Sequence, residues 1–281
     1  MSSPTPSAQA EPPAAIGLLH SHRIVQFTGP DAATFLQGYL TCDTDQLTPD
    51  KAIAGAFTNL KGRVVANGWV WGSASEVQML VSAELTDTCA EFLKPYLNFA
   101  KTNLSYESCS PAACLSSEPV PGVAVGDGKY LLTDTDLLDA TNIKQDSETD
   151  LSLAWLAHTI DHSEVLVTAA TSGTLLPQML GLTELGAVSF EKGCYLGQEV
   201  IARAQHLGAV KRQLRRIVYT CDQAVPAGAT LEDETGKRVA VLINTIQPPT
   251  AATAKALIVS SVTDCTGARW RYAGATMQLA D

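Results

Sequence analysis

The sequence lacks the cysteine pairs that would define a disulfide framework or a zinc site. Its seven cysteines are odd in number, none stands in a CxxC motif, and the closest two, Cys109 and Cys114, are five residues apart. This spacing fits reduced thiols and argues against a metal ribbon or a cysteine-bound cluster held within one chain. We therefore expect a cytoplasmic protein.

Long apolar runs are also missing. No stretch is long enough to cross a membrane, and residues 1–15 have neither the basic start nor the apolar core of a signal peptide. We expect residues 1–15 to form a disordered tail. The chain has 281 residues, of which 46% are hydrophobic and 17% charged, and it is long enough for two or three domains.

Positive charge is scarce, with 19 basic residues against 29 acidic residues and a net charge of −10. Direct nucleic-acid binding is therefore not expected. The basic residues are unevenly spread, however, because six of the 19 fall in residues 192–216, where Glu199 is the single acid. Such a cluster could bind a small anion or an acidic partner, or it could be a solvated strand face. Its members are Lys192, Arg203, Lys211, Arg212, Arg215 and Arg216.

The first part of the chain follows an α+β order. A short helix is predicted within residues 29–38, with Asp31 as its cap. The block that follows contains the order β-β-α-β, which differs from the βαβ repeat of a parallel nucleotide-binding sheet. Its elements are strands over 52–57, 63–71 and 76–82, a helix over 83–99 and a strand over 102–108.

The C-terminal part reads as a small β-barrel, because short strands alternate with turns and almost no helix is indicated. Residues 110–150 are loop-rich and end in an acidic tract that indicates a solvated face or a flexible insertion. The barrel strands are predicted over 214–221, 230–232, 238–246, 256–262 and 270–272, and short elements over 120–125, 129–133 and 151–160. The acidic tract comprises Asp134, Asp136, Asp139, Asp146, Glu148 and Asp150.

The strongest candidate for a reactive group is Cys194. It stands between Gly193 and Gly197, which allow sharp turns and close approach to a ligand, and a helix is predicted from Gly197 onward. A helix N-terminus and the neighbouring Lys192 would both favour a thiolate. Cys194 could be a nucleophile, a redox thiol or a transient metal ligand. The alternative is a loop with a buried cysteine.

Three other patterns carry weaker signals. His158 and His162 have the spacing of a metal-binding pair, but no third ligand is apparent and a polar helix face is favoured. Lys61-Gly62-Arg63 lacks the surrounding pattern of a phosphate loop, so we interpret it as a hairpin turn whose cations could line a cavity. Trp69 and Trp71 share a strand face, which favours core packing.

The run Lys192-Gly-Cys-Tyr-Leu-Gly-Gln-Glu199 closely resembles the signature K-G-C-[FY]-x-G-Q-E of the YgfZ-type folate-binding proteins. These belong to the aminomethyltransferase superfamily of the glycine cleavage T-protein (GcvT-like). Further similar segments surround it, so the resemblance spans nearly the whole chain after residue 15. They are Phe35–Gly38, Thr41–Asp43, Lys61–Arg63, Leu176–Met179, Ser189–Lys192, Ala202–Arg203 and Lys211–Arg212.

The resemblance implies an α+β fold, a ring of two ferredoxin-like domains and a small C-terminal β-barrel around a central folate channel. It also implies a discontinuous first domain. We expect this domain to comprise residues 16–48 and 110–205, with a second domain at 49–109 and the barrel at 206–281.

The implied function is that of a tetrahydrofolate-binding accessory protein. It would support assembly or repair of iron–sulfur clusters and, through them, tRNA-modifying enzymes, with cluster-assembly or client proteins as partners. Aminomethyltransferases have an aspartate where Cys194 stands, in a motif resembling K-x-D-F-x-G-R-E. A folate-dependent one-carbon (aminomethyl) transferase is the alternative, and a structural protein that docks an acidic partner is a third.

The ligand's chemistry assigns roles to the motif on this hypothesis. A folate has a flat pterin and a glutamate tail, often polyglutamylated, so cations should bind the tail and a carboxylate or amide the pterin edge. We expect Lys192, Arg203, Lys211 and Arg212 to bind the tail, with Cys194 at the channel mouth. The predicted cofactor-binding set is completed by Gln198, Glu199, Lys61 and Arg63.

Overall fold

A computed structural model describes residues 15–132, 149–208, 210–247, 252–261 and 265–280. Within these ranges the chain forms a four-stranded sheet, a five-stranded sheet and a closed six-stranded barrel. The predicted α+β fold with a C-terminal β-barrel is therefore confirmed. No helix of the described residues is long and apolar enough to cross a membrane.

The four-stranded sheet is antiparallel and has the order β1-β7-β9-β8. Helix α3 follows it in the chain and places Trp155 in one buried cluster with Leu131 and Leu151. The strands are β1 (Ala15–Leu18), β7 (Ala112–Leu115), β8 (Val123–Ala124) and β9 (Lys129–Leu132), and α3 is Ser152–Asp161.

The five-stranded sheet has the order β3-β4-β5-β2-β6. Strands β4 and β5 approach closely at Gly68, where a β-carbon would lie 1.8 Å from the Leu80 carbonyl oxygen. Helices α1 and α2 contribute Leu36 and Leu93 to the buried cluster that this sheet shares. The elements are β2 (His22–Thr28), α1 (Ala32–Gln37), β3 (Ile53–Thr58), β4 (Val64–Gly72), β5 (Glu76–Ser82), α2 (Thr86–Leu97) and β6 (Asn103–Tyr106).

Strand pairing departs from the expected boundary at residue 48. Strand β2 lies in the expected first domain by position, yet it is hydrogen-bonded to β5 and β6 of the expected second domain. The reason is that Val25 and Phe27 alternate inward and are fully buried there. The division of the chain into domains stays a prediction.

The barrel has the order β10-β13-β12-β11-β14-β15 and closes where β10 pairs with β15. Its inward side chains, such as Ile217, Ile258 and Trp270, form a separate core. Neighbouring residues Leu257 and Val259 point outward and join the main core, which seals the barrel against the rest of the chain. The strands are β10 (Gln213–Cys221), β11 (Thr230–Glu232), β12 (Arg238–Ile246), β13 (Ala254–Ser260), β14 (Arg269–Tyr272) and β15 (Ala275–Leu279).

Two buried asparagines fix the segment 165–167 between the five-stranded sheet and the barrel. Asn67 donates to the Val165 carbonyl at 2.7 Å and accepts from the Val167 N–H at 2.8 Å. Asn244 of the barrel donates to the Leu166 carbonyl at 2.9 Å and accepts from its N–H at 3.1 Å. Side-chain amides thus satisfy backbone groups that no strand pairs, and they orient the barrel.

A buried ion pair joins β9 to the segment that follows α3. Lys129 of β9 is bonded to Glu164, and their side chains are 1% and 7% exposed. The ammonium lies 5.4 Å from the Trp69 ring centroid and 5.2 Å from that of Trp155. Burial lowers the pKa of Lys129, and the Glu164 carboxylate opposes that shift.

Several local expectations need correction. Ala15 begins β1 and does not belong to a tail. Asp31 takes the N-cap position, but its side chain makes no capping hydrogen bond. Strands β1, β2, β7 and β15 were not predicted. The expected helix over 83–99 begins as a 3₁₀ turn and is α-helical over Thr86–Leu97.

Some expectations fall outside the described residues. They are the tail over 1–14 and the acidic tract from Asp134 to Glu148, together with the end of the strand expected over 256–262. Trp69 and Trp71 both contribute to the cluster beneath α3, which confirms core packing for this pair.

Candidate functional site

The segment around Cys194 is an irregular loop tied to the chain just after α1. The Ser189 N–H donates to the Thr41 carbonyl at 2.9 Å, and the Leu196 N–H donates to the Gly38 carbonyl at 3.0 Å. Between these two anchors Cys194 is exposed and forms no disulfide. The alternative of a buried cysteine is therefore wrong, and the thiol is accessible to solvent or to a partner.

Helix α4 (Gln198–His206) begins directly after this loop, as the glycine pattern predicted. Gly197 takes the N-cap position with φ +85°, and a β-carbon there would lie 2.5 Å from the Asn59 carbonyl oxygen. Only glycine combines this left-handed conformation with such a close approach. The Thr58 hydroxyl adds a hydrogen bond of 2.6 Å to the Leu196 carbonyl.

The Lys61-Gly62-Arg63 turn therefore packs against the start of α4. Asn59 shapes this turn, because its side-chain oxygen accepts from the N–H groups of Lys61 at 2.9 Å and Arg63 at 3.1 Å. Lys61 is exposed, whereas the Arg63 guanidinium donates to the Thr174 carbonyl. The hairpin and the cysteine motif, 131 residues apart at Lys61 and Lys192, form one surface.

Lys192 is directed into the protein. Its ammonium donates to the carbonyls of Leu40 and Cys42, both at 2.8 Å, and lies 5.2 Å from the Tyr195 ring centroid. Burial lowers the pKa of Lys192 to about 8. The expectation of a free cation beside the thiol is wrong on this geometry, because residues two apart in an irregular loop need not point the same way. Lys192 instead holds the loop in place.

Other members of the basic cluster are also engaged. Arg203 forms an exposed ion pair of 2.6 Å with Glu199, one turn away on α4. Arg216 donates to the Asp161 carbonyl. Lys211 and Arg212 lie on the exposed link between α4 and β10, and neither forms an ion pair with another described residue. Arg215 likewise forms no ion pair with a described residue, but its guanidinium donates to the Gln213 side-chain oxygen at 3.3 Å. Lys211 and Arg212 are therefore the cluster members best placed to meet an anionic ligand.

A cleft of about 620 Å³ opens beside this link. It lies between the C-terminal half of α4, the start of β10, the 3₁₀ turn Pro177–Leu180 with the loop that follows it, and the residues just after α3. Its volume is in the range of small-molecule sites. The lining residues are His162, Ser163, Gln178, Gly181, Glu184, Leu185, Ala204, Gln205, Gly208, Val210, Gln213 and Leu214.

Gln178 lines this cleft and was not among the site residues predicted from the sequence. It lies in the run 176–179 that precedes the cysteine motif, and its amide N–H donates to the Ile201 carbonyl at 2.8 Å. Its amide oxygen is buried and has no hydrogen-bond partner among the described residues. The only sequence signal was its place in that run, since the partner Ile201 is 23 residues away.

His158 of α3 and His162, which follows the helix as its C-cap, form a stacked pair. Their ring centroids are 3.9 Å apart with an interplanar angle of 11°, and the His162 ring nitrogen Nδ1 is 2.9 Å from the His158 carbonyl oxygen. Burial and His162 lower the pKa of His158 to about 4. No three His, Cys, Asp or Glu side chains within the described ranges converge on a possible metal position.

The fold of this chain has a solved counterpart. A solved structure of the glycine cleavage system aminomethyltransferase T from Bartonella henselae superimposes with a TM-score of 0.69 over 95% of this chain and 85% of its own. The two sequences are 14% identical, so this likeness concerns the fold alone. The chain thus shares the overall fold of that aminomethyltransferase.

Two curated proteins resemble this chain in sequence over most of its length. The chain is 28% identical over 260 residues to the tRNA-modifying protein YgfZ of Klebsiella pneumoniae strain 342, covering 82% of this chain and 80% of that protein. It is 28% identical over 271 residues to the protein of the same name from Escherichia coli strain SMS-3-5, covering 83% and 80%. No family model matches. The resemblance to the YgfZ-type proteins is confirmed over most of the chain.

Proposed function

We propose that this protein binds tetrahydrofolate or a derivative and acts as an accessory factor for tRNA modification. The observation that carries the proposal is the cleft of about 620 Å³ beside α4. Its lining residues Val210 and Gln213 flank Lys211 and Arg212, two cations without ion-pair partners among the described residues. The similar YgfZ proteins are named for tRNA modification, which supports the accessory role. We further propose that the clients are iron–sulfur enzymes, with Cys194 as the essential group.

The cleft fits the chemistry of a folate. Its volume of about 620 Å³ suits a pterin with its aminobenzoyl group. The lining is rich in neutral polar side chains, including Gln178, Gln205 and Gln213, which can bind a heterocycle that carries both donors and acceptors. The glutamate tail would leave the cleft past Lys211 and Arg212. Arg203 can join them only by giving up Glu199.

Tail binding is tested with ligands of different length. The wild-type protein should bind tetrahydrofolate pentaglutamate more tightly than the monoglutamate, with the difference shrinking as salt is added. Replacing Lys211 and Arg212 together by alanine should reduce pentaglutamate affinity by roughly tenfold, as expected for two exposed charge contacts of about 0.7 kcal/mol each. Lys255→Ala, which breaks an exposed ion pair with Asp161, is the control. Equal affinity for both tail lengths would contradict this part of the proposal.

The role of Cys194 is tested by complementation. A strain that lacks the protein should regain the activity of an iron–sulfur tRNA-modifying enzyme when given the wild-type chain, but not when given Cys194→Ala. Cys109→Ala, which removes another exposed thiol, should restore activity. Full rescue by Cys194→Ala would refute an essential role for this thiol. Steady folate-dependent turnover by the purified protein would instead favour the one-carbon transferase.

A further inference from the structure

One carboxylate, that of Glu184, lines the described part of the cleft. Among the described lining residues, Glu184 and His162 are the two that can carry a charge, and the His162 ring is stacked on His158. The Glu184 side chain is exposed, and its oxygens make no hydrogen bond or ion pair within the described residues. This carboxylate is therefore open to a ligand in the cleft.

The backbone around Glu184 is fixed in a turn. The Leu185 N–H donates to the Gly181 carbonyl at 3.1 Å, and Leu182 is buried in the main core. The turn also lies against the start of β10, because a β-carbon on Gly181 would lie 3.1 Å from Leu214 Cδ2. Glu184 is thus presented by an ordered wall of the cleft, and a ligand does not have to order the backbone of this wall when it binds.

Charges of both signs stay available around the cleft. Lys211 and Arg212 lie on the link between α4 and β10, which borders the cleft, and neither forms an ion pair with Glu184. The two signs match a ligand that has a donor-rich head and an anionic tail, as a folate does. One edge of its pterin ring presents the N3–H and the 2-amino group side by side. A carboxylate has two acceptor oxygens and can bind such a pair of donors with two hydrogen bonds.

We infer that Glu184 recognises the N3–H and the 2-amino group of the pterin ring through this pair of hydrogen bonds. The inference rests on the proposed function, because it names the residue that would select the head group of the folate. It also predicts which analogue is rejected. An oxygen in place of the 2-amino group would turn lone pairs toward the Glu184 carboxylate where a donor is needed.

The matching experiment compares folic acid with its 2-oxo analogue by calorimetry. The two ligands have the same tail, so contacts with Lys211 and Arg212 cancel in the ratio of their affinities. The wild-type chain should bind folic acid at least about tenfold more tightly, the weight of one hydrogen bond to a charged group. Glu184→Gln should bring this ratio close to one, chiefly by weakening folic acid. Glu234→Gln, which removes another exposed carboxylate in the turn before β12, should leave the ratio as in the wild type.

Charge repulsion gives the opposite result in the same experiment. If Glu184 only repelled the anionic tail, Glu184→Gln would bind both ligands more tightly, and the inference would be overturned. A wild type that binds both ligands equally, or a Glu184→Gln variant that keeps the wild-type ratio, would also overturn it while folate binding stands. A wild type that binds neither ligand would overturn the proposed function as well. Glu184 is exposed, so its replacement should leave the midpoint of urea unfolding unchanged.

Discussion

The buried Lys129–Glu164 pair should be among the most sensitive positions of the fold. Both side chains are almost fully buried, and the ammonium is enclosed by the rings of Trp69 and Trp155. Replacing Glu164 by glutamine keeps the shape but leaves the Lys129 charge without a counterion. Removing one partner of a buried ion pair costs about 3–5 kcal/mol. That is a large fraction of the ~5–15 kcal/mol by which a typical protein is stable.

The double replacement separates charge from packing. Lys129→Met with Glu164→Leu removes both charges, and apolar substitutes for a buried pair are often neutral or stabilising by ~1–4 kcal/mol. We therefore expect Glu164→Gln to lower the free energy of unfolding by about 3–5 kcal/mol and the double variant to recover most of that loss. Thr220→Glu, at an exposed position of β10, offers a control for an added exposed charge.

Urea unfolding followed by tryptophan fluorescence measures this effect, since Trp69 and Trp155 report directly on the environment of the pair. The variants can be compared when the slope of the free energy of unfolding against urea concentration is the same for all of them. A change below about 1 kcal/mol for Glu164→Gln would refute the reasoning, because it would mean that the ammonium is solvated or neutral in the native protein.

Three further predictions concern single residues. Burial lowers the pKa of His22 to about 3, below the unfolded value of 6.5, so the unfolded state binds more protons between these pH values. Acidification through this window should therefore lower the free energy of unfolding. In urea unfolding at several pH values, His22→Gln should weaken this pH dependence, and an unchanged dependence would count against the explanation. Gly197→Ala should lower the free energy of unfolding by about 2–4 kcal/mol, because alanine would have to adopt a left-handed conformation and its β-carbon would collide with the Asn59 carbonyl oxygen. Gly193→Ala is the control, because no atom lies within 4 Å of the added carbon, and it should change the midpoint of urea unfolding little. Equal effects of the two glycine replacements would disprove the packing argument. Lys192→Met should leave two carbonyls without their donor and lower the free energy of unfolding, measured by chemical denaturation, by about 1–3 kcal/mol. An unchanged free energy of unfolding would mean that the ammonium does not anchor the loop.

The regular elements were predictable where one face is buried and side chains alternate. The strand over 76–82 and the barrel strand over 230–232 have the predicted bounds. Helix α4 was also predictable, because Gly197 marks its start and Ile201 its buried face. Strand β2 has the same alternation in Val25 and Phe27, so that signal was present and was overlooked.

The tertiary contacts of the site were not predictable from spacing. Lys192 turns inward because the carbonyls of Leu40 and Cys42, about 150 residues earlier, lie within its reach. Glu164 pairs with Lys129 across 35 residues, and nothing local to either residue indicates that partnership. Gln178 reaches the cleft wall because its amide N–H is bonded to the Ile201 carbonyl, 23 residues later. Each of these depends on how the sheets, helices and barrel pack.

Folate binding by the purified wild-type chain is the most direct test of the account. Isothermal titration with tetrahydrofolate monoglutamate under anaerobic, reducing conditions should give saturable binding of one ligand per chain. The Lys211→Ala, Arg212→Ala double variant should bind it more weakly while remaining folded. No detectable heat or ligand retention at millimolar tetrahydrofolate, confirmed by equilibrium dialysis, would contradict the central claim.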